Sequence, residues 1–264
     1  MRFIKFLKTL FRSRSLDFAL HSNRQPSPHE VRTLLRKGVL IHYRPGGSDV
    51  ENIVKKLLKR DSEYWLPPQF EPRSILDLGA NIGIASIDFA LRYPQASIIA
   101  IEPVAANFQL LQKNLSSFQN IRALNVAVGK HDERAALRGA GQSFRTQPVS
   151  ARSKASRREE TTVRDLNALL EELGITQIDL IKIDVEGAEY DVLTSLRPDL
   201  LQRVQWIVGE LHSVRDFALL DYLSAWFEID GRKTITKECW KFHAVNRDQT
   251  ARLLTGFDLK TLQR

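Results

Sequence analysis

Cysteine is almost absent from this chain. Cys239 stands alone, so neither an internal disulfide nor a cysteine-based zinc cluster can form, and a lone thiol points to a reducing compartment. No apolar stretch approaches the ~20 residues that a membrane-spanning helix needs. Glycine and proline, 13 and 10 of 264 residues, are too sparse for collagen or low-complexity sequence. With 43% hydrophobic and 27% charged residues, what remains is a globular chain long enough to bury a full core.

Charge is also missing from most of the molecule. The first 73 residues hold 15 Lys+Arg against 7 Asp+Glu, whereas residues 74–264 hold 24 of each. The net charge of +8 therefore belongs to the first quarter, and the neutral remainder lacks the net basic charge expected of a nucleic-acid enzyme.

Three stretches follow from the pattern: a basic, mainly helical extension over 1–73, a main domain over 74–246, and a tail over 247–264. The extension opens with MRFIKFLKTLFRSRS, which at helical spacing sets Phe3, Ile4, Phe6, Leu7, Leu10 and Phe11 against Arg2, Lys5, Lys8 and Arg12. Lys5 and Lys8 interrupt any signal-peptide core. The ordinary expectation is a helix packed by its apolar face on the protein body; the alternative is peripheral contact of residues 1–16 with an anionic membrane. VRTLLRKGVLIHYRPGG reads as a helix and a short strand. Ser48, Asp49, Val50 and Glu51 form a Ser-x-x-Glu capping box opening a helix to Lys59 or Arg60, with Val50, Ile53, Val54 and Leu57 as its apolar stripe.

From residue 74 onward, apolar runs alternate with helical ones. The runs are Ser74–Leu78, Ser97–Ile101, Ile121–Val128, Ile178–Asp184 and Gln205–Leu211. The helices are Ile82–Tyr93, Val104–Leu115, Thr162–Leu173 and Glu189–Leu196. Such alternation predicts an α/β domain with a parallel sheet covered on both faces. Residues 130–158, with 8 Lys+Arg against 2 Asp+Glu, read as a mobile insert, and Ala225–Asp230 with Cys239–Asn246 as a terminal hairpin on the sheet edge.

The chemistry begins at Asp77-Leu78-Gly79-Ala80-Asn81-Ile82-Gly83, a glycine-bearing turn between a strand and a helix. A dinucleotide fingerprint would be G-x-G-x-x-G. Here Asn81 holds the middle place and Asp77 precedes the loop; a carboxylate there repels pyrophosphate but attracts a sulfonium or amino group. The cofactor expected is S-adenosylmethionine rather than NAD. Glu102, 19 residues after Gly83 at the end of the next apolar run, is placed to accept hydrogen bonds from a ribose. Ile181-Lys182-Ile183-Asp184-Val185-Glu186-Gly187-Ala188-Glu189 ends a buried-type strand in carboxylates, where ligands of open α/β sheets bind. Glu189 reads as a favourable charge in a first helical turn, and Lys182 as a partner for one of the acids.

The string DLIKIDVEGAEYDVL resembles the hallmark of the FkbM family of S-adenosylmethionine-dependent methyltransferases. The DLGANIG loop, the IEP segment, NVAVG (Asn125–Gly129) and GELH (Gly209–His212) stand in that family's order, and YRPGGSDVENIVKKLLKRDSEY resembles its approach segment through an Arg, an Asp and a closing Glu-Tyr. The similarity covers about 43–246; the 130–158 segment and the basic start lie outside it. It implies a class I methyltransferase (Rossmann-like) fold, with a seven-stranded, mostly parallel sheet and an antiparallel last strand. It also implies methyl transfer to an oxygen, commonly a hydroxyl of a sugar, glycan or secondary metabolite.

On that footing Asp77, Gly79, Asn81 and Gly83 shape the cofactor loop, Glu102 holds the ribose, Val126 and Ala127 flank the adenine, and Asp184 lies beside the methyl donor. A hydroxyl needs a base, and His212, with an ordinary pKa near 6.5, is the first candidate. Glu210, two residues earlier and on the same face of a strand, would orient it, and Asp184 is the second candidate. Asp184, Glu186, Glu210 and His212 could alternatively hold a divalent metal, which is not the favoured reading. The other functions weighed are an RNA methyltransferase using the basic extension and a non-catalytic scaffold keeping the fold. The protein is expected in the cytoplasm, acting on a hydroxyl-bearing small molecule or glycan, with nucleic acid disfavoured.

Overall fold

Continuous apolar strands with both faces covered build the centre of the molecule. The computed structural model describes residues 2–27, 29–59, 64–140, 143–148, 159–212, 215–233 and 240–256. Its main sheet contains β3 (Ser74–Leu78), β4 (Ser97–Ile101), β5 (Ile121–Leu124), β10 (Leu180–Ile183), β11 (Trp206–Leu211), β12 (Phe227–Lys233) and β13 (Trp240–Asn246). The strand order is β12-β13-β11-β10-β3-β4-β5. The run from β11 to β5 is parallel, and β13 is antiparallel to both β11 and β12. This is the class I methyltransferase arrangement, with the last strand inserted beside the fifth. All of β10 and β11 is buried, as is β3 except its first residue; parallel sheets need such cover on both faces. The terminal hairpin forms from β12 and β13, with Gly231 inside β12. Cys239 falls outside the described residues.

Helices α4 (Ile84–Arg92), α5 (Ala105–Leu115), α6 (Leu166–Glu172), α7 (Glu189–Ser195), α8 (Pro198–Leu201) and α9 (Asp216–Leu223) connect and cover the strands. Gly83, at φ +90°, sits at the start of α4, where a Cβ would come within 2.7 Å of Leu111 Cδ1 on α5. Its small size serves helix packing. In the tail, α10 (Arg247–Leu253) is capped by Asn246, whose side chain accepts from the Asp248 N–H.

Several local expectations change. The segment read as helix plus strand is a hairpin of β1 (Arg32–Arg36) and β2 (Val39–Tyr43). Lys37 and Gly38 both adopt positive φ, 50° and 80°, which is the two-residue turn geometry that matches strand twist. Leu34, Val39, Ile41 and Tyr43 are buried on one face of it. Ser48 is the first helical residue rather than the N-cap. Gly47 takes the N-cap of α3 (Ser48–Asn52), and a π-helical turn continues over Ile53–Leu58. The insert at 130–158 contains strands: β7 (Glu133–Ala140) and β8 (Ser143–Pro148) join β6 (Ala127–Gly129) and β9 (Glu159–Asp165) in a second sheet of order β6-β9-β7-β8. Residues 141–142 and 149–158 lie outside the described residues. The start of the expected helix at Thr162 belongs to β9, because alternating burial of Thr161 and Val163 rewards β-branched residues in a strand. The helix begins after Asp165, whose carboxylate accepts from the Ala168 N–H.

The extension opens with α1 (Arg2–Ser13) and α2 (Leu16–His21). Its hairpin and π-turn share a core with the main domain: Phe18, Ile41, Tyr43, Ile53 and Leu57 cluster with Ile82, Ile87, Leu110 and Leu111.

Candidate active site

At the carboxyl ends of three neighbouring strands lies a cleft of about 840 Å³, open mouth included. β3 is central, with β4 on one side and β10 on the other, so the loops after all three converge. Gly79 is required by close approach: a Cβ there would overlap the backbone carbonyl of Asp184. Asn81 (φ 53°) and Glu186 (φ 56°) both line the cleft in a left-handed backbone conformation. Such conformations concentrate at functional sites, held by their surroundings.

Asp77 itself does not line the cleft. Directly opposite Lys182 in the β3–β10 register, it forms a buried ion pair with Lys182 Nζ at 3.0 Å and accepts from Ser86 Oγ at 2.6 Å. Lys182 Nζ also donates to the carbonyls of Leu78 and Gly79, at 3.1 and 2.6 Å. Burial opposes its charge, but the attraction of Asp77 and Asp184 outweighs that and raises the Lys182 pKa. Asp77 therefore anchors the glycine loop from below, with its carboxylate set back from the cleft. Gly83, at the start of α4, packs on α5 away from the lining.

Glu102 lines the cleft and is almost wholly buried. Its Oε2 accepts from the Asn81 N–H at 2.8 Å, and its Oε1 from the Val104 N–H at 3.0 Å and from Asn107 Nδ2 at 3.2 Å. Burial raises its pKa against the lowering effect of these bonds. Asn107 in turn accepts from the Arg44 guanidinium at 2.7 Å, and Arg44 grips Asp49 through two bonds of 2.8 and 2.9 Å. The Arg and Asp of the approach segment thus pair with each other and brace the wall that carries Glu102. Asn125 donates to the Glu102 and Pro103 carbonyls, and Val126 and Ala127 line the cleft where the chain passes from one sheet to the other.

The opposite wall carries Asp184 and Glu186. Behind the strand ends, His212 Nδ1 bonds Glu189 Oε1 at 2.9 Å, while its Nε2 stands 3.6 Å from Asp184, 3.9 Å from Glu186 and 3.9 Å from Glu210. Sequence reasoning brought His212, Asp184 and Glu210 together correctly, but the partner that orients the imidazole is Glu189, not Glu210. Glu189 is fully buried and also accepts from the Val185 and Gly187 N–H groups, closing the loop. Burial opposes the charged imidazole, yet the Glu189 hydrogen bond and the charges of Asp184, Glu189 and Glu186 lift the His212 pKa to about 9. The shift favours the charged imidazole at neutral pH, and neither His212 nor Glu210 lines the cleft. Asp184, Glu210 and His212 offer ligand atoms within 4.8 Å of one another, a donor set of a kind that hard divalent cations accept.

The cleft residues contributed by the extension escaped the sequence reading. Asn52 and Lys56 reach in from the extension, with Lys56 Nζ donating to Asn52 Oδ1 at 3.2 Å and lying 4.9 Å from the Tyr64 ring centre. Burial pulls the Lys56 pKa down to about 8. Its signal was present: Lys56 falls three residues after Ile53, on the apolar stripe of its helix.

Comparison with known proteins agrees with this architecture. Residues 77–234 match the family described as "Methyltransferase FkbM domain". "Methyltransferase 1" of Beauveria bassiana is 29% identical over 200 residues, covering 67% of this chain and 80% of that one. The AMB antimetabolite synthetase AmbE of Pseudomonas aeruginosa is 31% identical over 208 residues, 64% of this chain but 10% of that protein. The 31-O-demethyl-FK506 methyltransferase FkbM of Streptomyces tacrolimicus is 27% identical over 170 residues, 53% of this chain and 65% of that one.

Proposed function

Since the chain belongs to the FkbM methyltransferase family, we propose that it methylates a hydroxyl oxygen of a sugar, glycan or secondary metabolite at the expense of S-adenosylmethionine. The observation that carries this reading is the flanking of the Gly79 loop by Glu102 on one side and Asp184 on the other, around one cleft. The residues present fit such a cofactor: a buried carboxylate for a ribose diol, a glycine-bearing loop for the methionine end, and Val126 with Ala127 for the adenine. S-adenosylmethionine, when bound, would supply an electrophilic methyl group for in-line attack by the acceptor oxygen, the thioether S-adenosylhomocysteine being the leaving group.

Asp184 accepts the proton of the acceptor hydroxyl. It faces the cleft, whereas His212, the first expectation, stands behind it as an imidazolium. Glu189 holds His212, whose positive ring faces the strand-end carboxylates and offsets their mutual repulsion. The remaining contribution is positioning, worth orders of magnitude when the reacting atoms are held aligned. Asp184 and Glu186 at the mouth repel phosphates, which favours a small molecule or glycan over RNA. One relative carries an O-demethyl compound in its name, in keeping with an oxygen acceptor. No metal is needed in this reading.

The test uses S-adenosylmethionine labelled in its methyl group, the purified protein, and fractionated small-molecule, glycan and RNA extracts. Label recovered as a methyl ether in a hydroxyl-bearing fraction is the expected result. Label appearing only in RNA, or only as an amine or ester, overturns the acceptor assignment.

A further inference from the structure

We propose that α1 docks the protein on an anionic lipid membrane. The helix is packed inside out: the small polar side chains of Thr9 and Ser13 are buried against the protein, while Phe3, Ile4, Leu7 and Phe11 are 70%, 60%, 45% and 85% exposed. The expectation that the helix buries its whole apolar face on the body is therefore wrong. Only Phe6 and Leu10 are partly covered. Leu16 and Leu20 on α2 extend the set of exposed large apolar groups.

At 100° per residue, Phe3, Leu7, Phe11 and Ile4 form one stripe, and Lys8, Arg12 and Lys5 follow along one flank of it. Lys5, Lys8, Arg12 and Arg14 are exposed and form no ion pair among the described residues. No acidic residue occurs before Asp17. An apolar stripe flanked by cations matches the boundary between acyl chains and acidic headgroups. A second copy of the chain would bring like charges together, and a nucleic acid would leave the phenylalanines in water. Twelve residues make a helix about 18 Å long, and among the described residues no helix is long and apolar enough to cross a membrane. Attachment is therefore peripheral, with α1 lying in the interface plane. Because α1 also touches the π-turn that carries Lys56, docking would bring the extension side of the cleft near the lipid surface.

The experiment sediments the full chain with vesicles of phosphatidylcholine alone or mixed with phosphatidylglycerol, at low and raised salt. Two variants accompany it: Phe3→Ser/Leu7→Ser/Phe11→Ser and Lys5→Gln/Lys8→Gln/Arg12→Gln. Melting temperature and S-adenosylmethionine binding control for folding, and remain as in the unaltered protein. Binding should require phosphatidylglycerol and weaken with salt. Loss of three cations should weaken it about 100-fold, and loss of the apolar stripe at least tenfold. No binding to phosphatidylglycerol vesicles overturns the proposal, as does binding that survives the apolar variant. A self-associated protein that the apolar variant makes monomeric, without vesicle binding, assigns the stripe to a second copy instead.

Discussion

On one wall of the cleft Glu102 accepts two backbone N–H groups and an Asn107 amide, and Asn107 is itself braced by Arg44 and Asp49. On the other wall Asp184 and Glu186, with Glu210 behind them, crowd a single imidazole nitrogen at 3.6–3.9 Å, and Glu189 holds the ring by a short bond. The first arrangement is a finished hydrogen-bond network, rigid and neutralised by dipoles, which suits recognition of an invariant cofactor. The second keeps negative charge concentrated beside open space, which suits proton transfer. Binding and chemistry are thus separated on either side of β3, and each wall can be broken without the other.

The largest expected effect is on the crowded wall. Asp184→Asn should lower the rate of methyl transfer roughly 10²–10⁴-fold, read in single turnover with a saturating methyl donor. A full rate in that variant would move the proton to another group. On the finished wall, Glu102→Ala should weaken S-adenosylmethionine binding tenfold or more by calorimetry, since each hydrogen bond to a charged group is worth about 1.5–3 kcal/mol. Unchanged affinity would end the ribose assignment.

A smaller effect separates the walls by pH. The folded pKa of His212, about 9, exceeds the ordinary 6.5, so its stabilisation is fully present below pH 6.5 and lost as pH rises through about 9. Thermal melts should show His212→Gln losing about 1–2 kcal/mol of stability relative to the unaltered protein at pH 6, with the gap closing by pH 10. A constant gap would show that folding leaves the imidazole's pKa at its ordinary value. The smallest change tests a residue of neither wall: Gly83→Ala should cost about 1 kcal/mol, through its left-handed φ and the Leu111 contact, while leaving cofactor affinity unaltered in the same titration.

Legibility in the sequence followed locality. The strands at 74–78 and 97–101 could be read to the residue, because a strand buried on both faces writes itself as an uninterrupted apolar run. Glu102, Gly79 and Asp184 were readable because each ends such a run. The 31–43 hairpin was not, since Arg-Thr-Leu-Leu-Arg satisfies helical and alternating patterns equally and a Lys-Gly turn decides between them. Asp77 and Lys182 were visible as charges in apolar runs, but their pairing depends on β3 and β10 becoming neighbours 100 residues apart.

Sequence alone determined the fold class, the order of the loops that meet at the cleft, and the family, because periodicity and short motifs are local properties of the chain. Tertiary structure alone decided which carboxylates face the cleft, that Glu189 rather than Glu210 holds His212, and that α1 turns Phe3 and Phe11 outward. Those outcomes depend on burial and on the sum of charges around each group, and both are set only when distant segments occupy the same volume.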